Sequence, residues 1–215
     1  MEVRIPGDKS ISQRALIFAA LADGRSRLQG LLDGGDPAST AEALRMLGAE
    51  IPPLGADISV GGRGLRGLLP PSDALDLRNS GTGARLLLGV LAGQSFDAVV
   101  TGDDSLRRRP MGRITRPLTD MGARFQALGE EGRLPIRVSG GELSPLSYEL
   151  PVASAQLKSA LLLAGLVGGV AVELVEPGRS RDHTERVLAG LGVPVLSGGQ
   201  GDRWGVALTE PPESL

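Results

Sequence analysis

The chain has 215 residues, no cysteine, one histidine, 41% hydrophobic residues and 22% charged ones. Without cysteine there is no disulfide framework, thiolate metal site or cysteine nucleophile, and a lone histidine argues against zinc or haem centres, so no metal is expected. The 23 basic and 25 acidic residues leave a net charge of −2, and one Trp, one Tyr and three Phe are too few for base-stacking platforms, so nucleic acid is not expected as a partner. The best apolar run near the start, Ala15 to Ala22, is too short for a membrane span or a signal peptide, and a soluble cytoplasmic protein is expected.

Of the 23 basic residues 21 are arginine and two are lysine, Lys9 and Lys158. Arg and Lys exchange readily on an ordinary surface, but not where a compact or deprotonatable ammonium is needed. Both lysines are therefore candidates for chemistry, set against the alternative that two of 23 remain by chance.

In chain order, the first apolar helix opens at Lys9-Ser10-Ile11-Ser12-Gln13-Arg14 and runs to Gly24. A second, amphipathic run from Asp36-Pro37 to Leu47-Gly48 turns Ala41, Leu44 and Leu47 inward and Glu42 and Arg45 outward. The plan recurs from Ser80-Gly81-Thr82-Gly83-Ala84-Arg85 to Gly93 and from Arg109-Pro110 to Met121-Gly122. It recurs again from Ser154-Ala155-Gln156-Leu157-Lys158 to Gly168 and from Arg181-Asp182 to Leu191-Gly192. The first helix of each unit is apolar almost all round and must be buried. The six glycines stand where helix C-caps want left-handed backbone. Strands are expected at Phe96–Thr101, Val170–Val175 and Gly205–Thr209. Turns between the late strands are expected at Gly61-Gly62, Gly140-Gly141 and Gly198-Gly199. The fold class is thus mixed α/β: three βαβαββ repeats (about 9–70, 76–148 and 150–210) with quasi-threefold symmetry, three sheets outside and three apolar helices in the middle. Glu210-Pro211-Pro212-Glu213 reads as a hinge or as an artificial end of the chain, and residues 213–215 likewise.

Each buried helix opens on hydroxyl or glycine residues with a polar or basic side chain close behind: Lys9-Ser10 with Arg14, Ser80-Gly81-Thr82 with Arg85, Ser154 with Gln156 and Lys158. Free N–H groups and the macrodipole make such helix starts natural anion sites. The same hydroxyls also serve as plain N-caps, which do not require the Lys and Arg. Arg107-Arg108-Arg109 reads either as a solvated face or, with Pro110 taken as the first helical residue, as a guanidinium fixed over a helix start. His183 reads as a capping or surface residue. With no phosphate loop, Rossmann fingerprint or nucleophile elbow, the expected ligand is a small phosphorylated metabolite.

At these motifs the chain resembles the 5-enolpyruvylshikimate-3-phosphate synthase family. Pro6-Gly7-Asp8-Lys9-Ser10-Ile11-Ser12-Gln13-Arg14-Ala15 is similar to its opening motif, Asn79-Ser80-Gly81-Thr82-Gly83-Ala84-Arg85 to its N-[SA]-G-T-x-x-R loop, and Arg109-Pro110-Met111 to its R-P-M segment. Ser154-Ala155-Gln156-Leu157-Lys158-Ser159-Ala160 and Arg181-Asp182-His183-Thr184-Glu185 resemble motifs of a bacterial branch. The resemblance implies transfer of the enolpyruvyl group of phosphoenolpyruvate to the 5-hydroxyl of shikimate 3-phosphate, with release of phosphate, in the cytoplasmic pathway to aromatic amino acids that glyphosate targets. It assigns Lys9 a catalytic role facing both substrates. Lys9, Ser10, Arg14, Ser154, Ala155, Gln156 and Ser180 or Arg181 would hold shikimate 3-phosphate. Lys9, Asn79, Gly81, Thr82, Arg109 and Gln156 would serve phosphoenolpyruvate. It implies no cofactor.

Family members are about twice as long and close two similar lobes on the substrates. The resemblance therefore makes residues 1–8 a strand belonging with the other lobe and residues 9–212 one substrate-binding lobe. The partner it implies is the absent C-terminal lobe, without which this chain is expected to be inactive, and a monomer. Two readings stand beside it: a relative of UDP-N-acetylglucosamine enolpyruvyl transferase, which shares the fold, and a non-catalytic anion-binding lobe.

Overall fold

The computed structural model describes residues 7–215. Residues 1–6, and with them most of the strand expected over 1–8, lie outside the described residues. The first part of the chain forms α1 (Lys9–Leu21), β1 (Arg25–Gln29), α2 (Gly35–Met46) and β2 (Asp57–Gly61). The middle part forms β3 (Leu75–Asp76), α3 (Gly81–Ala92), β4 (Asp97–Thr101), α4 (Asp104–Arg107), α5 (Gly112–Asp120), β5 (Arg124–Ala127) and β6 (Ile136–Ser139). The last forms β7 (Leu146–Glu149), α6 (Ala155–Gly168), β8 (Val172–Pro177), α7 (His183–Gly190), β9 (Val195–Gln200) and β10 (Arg203–Leu208). The short helix α4, capped by the Asp103 carboxylate on the Leu106 N–H, was not legible in the sequence pattern.

Three sheets result. The second and third have the same strand order, β3-β4-β6-β5 and β7-β8-β10-β9, while among the described residues the first is the antiparallel pair β1-β2 with a single further bridge from Glu50 to Gly61. In each four-stranded sheet the first pair is parallel and the others antiparallel. A parallel pair requires a crossover, and α3 and α6 are those crossovers. Alternating burial along β8, inward at Val172, Leu174 and Glu176, leaves one face to the core and one to water.

The helices α1, α3 and α6 fill the interior because their sequences are apolar beyond the first two turns. Every residue of α3 except Arg85, and every residue of α6 except Gln156, is buried. Those two exceptions both lie near the helix N-termini. α3 and α6 come into backbone contact where side chains are absent. A Cβ at Gly89 would fall 2.2 Å from the Ala160 carbonyl oxygen, and one at Gly93 would fall 2.8 Å from the Gly168 nitrogen, so α3 and α6 are in backbone contact.

The expected glycine caps hold at Gly48, Gly122 and Gly192, all at positive φ. Three differ. α1 ends on Ala22 in extended backbone, and Gly24, though at positive φ, lies two residues beyond that cap. Gly93 caps α3 at φ −93°, and α6 continues through Gly168 so that Gly169, at φ 66°, takes the left-handed position. The glycine pairs expected as turns are not turns between strands. Gly198 and Gly199 lie within β9, paired with Gly205 and Trp204, and the chain reverses at Gly201. Gly62 and Gly140 instead let the chain run against the C-terminal carbonyls of α1 and α3, where a Cβ would meet Ala22 O at 2.1 Å and Leu91 O at 2.3 Å. Pro110 does not open a helix either, since α5 begins at Gly112.

The backbone contact at Gly89 gives a direct test. Gly89→Ala forces α3 from α6 and is expected to destabilise the chain by about 1–3 kcal/mol, the usual scale of core overpacking, despite alanine's better helix propensity. Urea unfolding measures it, and an unchanged midpoint would contradict the packing described.

Candidate functional site: three helix N-termini on one face

Each buried helix is capped by a side chain: Asp8 accepts from the Ile11 N–H, Ser80 from Gly83 and Ser154 from Leu157. Capping therefore accounts for Ser80 and Ser154. What it does not account for are the bonds that tie the three starts together. Gln13 Nε2 of α1 donates to Ser80 Oγ, the cap of α3, and at 2.9 Å to Thr40 Oγ1 of α2. Arg14 of α1 donates from Nη1 to Ser10 Oγ (2.5 Å), from Nη2 to Ser159 Oγ of α6 (2.7 Å) and from Nε to Thr184 Oγ1 of α7 (2.8 Å). Gln156 Nε2 of α6 donates to Thr82 Oγ1 of α3 at 3.0 Å. The N-termini of α1, α3 and α6 thus converge, concentrating partial positive charge on one face.

Along that face Ala153, Ser154, Ala155 and Gln156 at the start of α6 and Arg179, Ser180 and Arg181 before α7 line an open cleft of about 400 Å³. Two of these groups are already constrained. The Ser180 N–H donates to Glu176 Oε1 at 3.1 Å, and the guanidinium of Arg179 stacks 4.7 Å over the Trp204 ring while pairing with Asp182 at 2.8 Å. The Arg179 hydrogen bond holds the Asp182 carboxyl below its ordinary value. Arg181 is exposed, whereas the Ser180 hydroxyl oxygen is buried and turned away from solvent.

The second cluster surrounds the start of α3. A Cβ at Gly81 would meet Arg85 Nη1 at 2.8 Å and Arg109 Nη1 at 2.9 Å, so the glycine sits between two guanidiniums. Arg109 is steered by Asn79, whose side-chain oxygen accepts from Nη2 at 2.5 Å, and Asn79 is steered in turn by its amide donating to Asp103 at 2.8 Å. That bond and the Leu106 N–H keep the Asp103 carboxyl below its ordinary value. Burial and the like charges of Arg113 and Arg109 lower the pKa of Arg85. Among the described residues neither Arg85 nor Arg109 has a carboxylate partner in ion-pair range, so this end of the face carries cations suited to an anion.

The structure therefore brings Lys9, Ser10, Ser154, Ala155, Gln156, Arg181, Asn79, Gly81, Thr82 and Arg109 to one face. Lys9, 54% exposed in its side chain, is paired with Asp36 at 2.9 Å. Two residues expected as ligands are placed otherwise. Arg14 is only 1% exposed and donates N–H groups to Ser10, Ser159 and Thr184, so it lies beneath the face. The Ser180 hydroxyl points inward. Lys158 is not at the face at all: it is fully buried between Glu176 and Glu185, each 2.7 Å from Nζ. His183 is the first residue of α7, half-buried, with Asp182 in the cap position and making no side-chain cap bond. The site also includes Arg85, Asn79's partner Asp103 and the Gln13 linkage, none of them among the ligands that the resemblance implies. Arg85 was visible as the basic residue of its motif, but nothing local marks Asp103 or Gln13.

The crowding at Gly81 involves only the ends of flexible side chains. Gly81→Ala is accordingly expected to change the unfolding free energy by no more than about 0.5 kcal/mol while displacing both guanidiniums and weakening inorganic phosphate binding. Urea unfolding beside a phosphate titration followed by NMR measures both. Equal affinity in the two proteins would remove Gly81 from the site.

The sequence matches the family EPSP synthase (3-phosphoshikimate 1-carboxyvinyltransferase) over residues 1–212. It is 52% identical over 200 residues to the 3-phosphoshikimate 1-carboxyvinyltransferase of Alkalilimnicola ehrlichii, covering 92% of this chain and 45% of that protein. It is 53% identical over 193 residues to that of Gluconobacter oxydans, covering 89% and 43%. The fold superposes on the EPSP synthase of Acinetobacter baumannii with a TM-score of 0.90 and 42% identity, over 99% of this chain and 47% of that one. The enolpyruvyl transferase NikO of Streptomyces tendae, at 20% identity and a TM-score of 0.69, shares the fold. The mixed α/β architecture, the helix starts gathered on one face and these similarities agree: the chain belongs to the EPSP synthase family, and it spans a little under half the length of the relatives it matches.

Proposed function

We propose that this chain is the shikimate 3-phosphate-binding lobe of an enolpyruvyl transferase, which moves the enolpyruvyl group of phosphoenolpyruvate to the 5-hydroxyl of shikimate 3-phosphate and releases phosphate. The observation that carries this reading is the cleft between α6 and α7. Its lining residues, Ser154, Ala155, Gln156, Ser180 and Arg181, come from two separate motifs and meet at a helix N-terminus beside a guanidinium. In this reading residues 9–212 form the lobe, residues 1–8 belong with the other lobe, and the enzyme acts as a cytoplasmic monomer that needs no cofactor. No helix among the described residues is long and apolar enough to cross a membrane.

Ser154, the α6 N–H groups, Gln156 and Arg181 hold shikimate 3-phosphate, with Ser10 aimed from α1 by Arg14 beneath it. Arg14 thus contributes through Ser10, and of the two candidates before α7 the exposed Arg181 makes the charged contact while Ser180 shapes the wall. Arg109, oriented by Asn79, and Arg85 receive phosphoenolpyruvate beside Gly81, and Thr82 acts by placing Gln156 between the two ligands. Protonating the methylene carbon of phosphoenolpyruvate puts cationic character on the adjacent carbon, where the 5-hydroxyl oxygen adds as it loses its proton. Loss of a proton from the new methyl group and departure of phosphate from that carbon then leave the enolpyruvyl ether. Lys9, at the rim between the two anion sites, is placed to exchange a proton or to steady charge there, which an arginine does poorly. The second lobe supplies the remaining groups and, by closing, excludes water.

The purified chain is expected to bind shikimate 3-phosphate in preference to UDP-N-acetylglucosamine by calorimetry, and to release no phosphate when both substrates are supplied. Turnover by this chain alone, or preference for the nucleotide sugar, contradicts the reading. In the two-lobed enzyme Lys9→Arg is expected to lower turnover by about 10²–10⁴-fold, the scale of lost acid–base catalysis. Because the side chain is half in solvent, the same substitution should shift unfolding by no more than about 0.5 kcal/mol. Near-normal turnover would reduce Lys9 to a replaceable cation.

A further inference from the structure

Lys158 was singled out by composition and is absent from the face it was expected to serve. Its Nζ is 0% exposed and lies 2.7 Å from Glu176 Oε1 on β8, as a hydrogen bond, and 2.7 Å from Glu185 Oε1 on α7, as a charge contact. Burying an ion pair contributes little net stability, and well-packed apolar residues often do as well. Its presence needs another reason, and the connections of its partners supply one. The oxygen that accepts from Lys158, Glu176 Oε1, also accepts the Ser180 N–H at 3.1 Å. Glu185 follows Thr184, which holds Arg14 Nε and donates to Ser159. Two consecutive residues of α6, Lys158 and Ser159, thus grip two consecutive residues of α7, Glu185 and Thr184, from below the cleft.

From these contacts we infer that the Lys158–Glu176 pair is a positioning device that sets the segment 178–182, and with it Arg181, against the start of α6. The proposal rests on the reading of this cleft as the shikimate 3-phosphate site. In a chain where 21 of 23 basic residues are arginine, a lysine persists here because one small nitrogen meets two carboxylates at once in a sealed space, which a planar guanidinium would overfill. Burial alone would raise the Glu176 carboxyl, but the bonds from Lys158 and Ser180 outweigh it and keep the group below its ordinary value. The charges facing this cluster are Arg14, whose guanidinium feels Glu185, and Arg181 beyond it. The segment's other anchor is Arg179, stacked on Trp204. Trp204 is the chain's sole tryptophan and therefore reports on the segment by its emission.

The test uses the 215-residue chain and Lys158→Met. Amide exchange at Ser180 and Arg181 is expected to accelerate by about tenfold or more beyond any change at core amides of α1 and α3, which register global stability. Trp204 emission should shift, and shikimate 3-phosphate affinity should fall on the order of 10-fold, the scale of a lost charged hydrogen bond. Glu176→Leu leaves Lys158 paired with Glu185 while removing the acceptor of Ser180, so it should give the same local signature if Lys158→Met fails to fold. Ser180 exchange that changes only in step with α1 and α3, with unchanged Trp204 emission, overturns the positioning role whatever binds. A wild-type chain that binds no shikimate 3-phosphate overturns the assignment of the cleft, while the exchange comparison still decides the positioning.

Discussion

The architecture of the face depends on one buried cation. Arg14 is carried into the interior by the second turn of α1, and a charge there is tolerated only if its N–H groups are satisfied. Burial lowers its pKa to about 10, with Glu185 opposing that shift, so it remains charged at neutral pH. Its acceptors come from α1, α6 and α7: Ser10, Ser159 and Thr184. A guanidinium has a rigid fork, so satisfying it fixes three elements in relative position as well as in contact. Its neighbour Gln13 does the same toward α2 and α3 through Thr40 and Ser80. One end of the helix cluster is thereby locked by directional bonds, while the opposite end is held by glycine-mediated backbone contact at Gly89, Gly93 and Gly168.

That arrangement explains why the face is receptive to anions although the chain is slightly acidic overall. Three helix starts point the same way, and the cations near them have been left without full neutralisation. Arg85 and Arg109 flank Gly81, Arg181 borders the cleft, and Lys9 has only the partly exposed Asp36. The carboxylates nearby orient rather than cancel: exposed Asp103 holds Asn79, and one layer back the buried Glu176 and Glu185 hold Lys158. Pairing below and open cations above is the electrostatic pattern of a preorganised binding surface.

Much of this was legible in the sequence because it is local. The all-apolar runs after Ser80 and Ser154 announce buried helices, and the residues at their starts announce one end of the fold. Where a glycine is needed for a left-handed cap, as at Gly48 or Gly192, the residue type reveals it. Where it is needed for close approach, as at Gly62 or Gly140, it looks identical in sequence and was misread as a turn. The inward placement of Arg14 could not be read from its motif, since its Thr184 acceptor lies 170 residues away. The scarcity of lysine marks both Lys9 and Lys158 without separating their roles. Only tertiary structure shows Lys9 in solvent and Lys158 sealed between two glutamates.

The central claim is that Arg14 couples the starts of α1 and α7, and a double-mutant cycle tests it most directly. Arg14→Leu, Thr184→Val and the combined variant would be compared with the wild-type chain by urea unfolding. If the buried bond links the elements as described, the cycle gives a coupling energy of about 1–3 kcal/mol. Effects that add to within about 0.5 kcal/mol would mean that the two residues act independently, and the account of the face would fail with them.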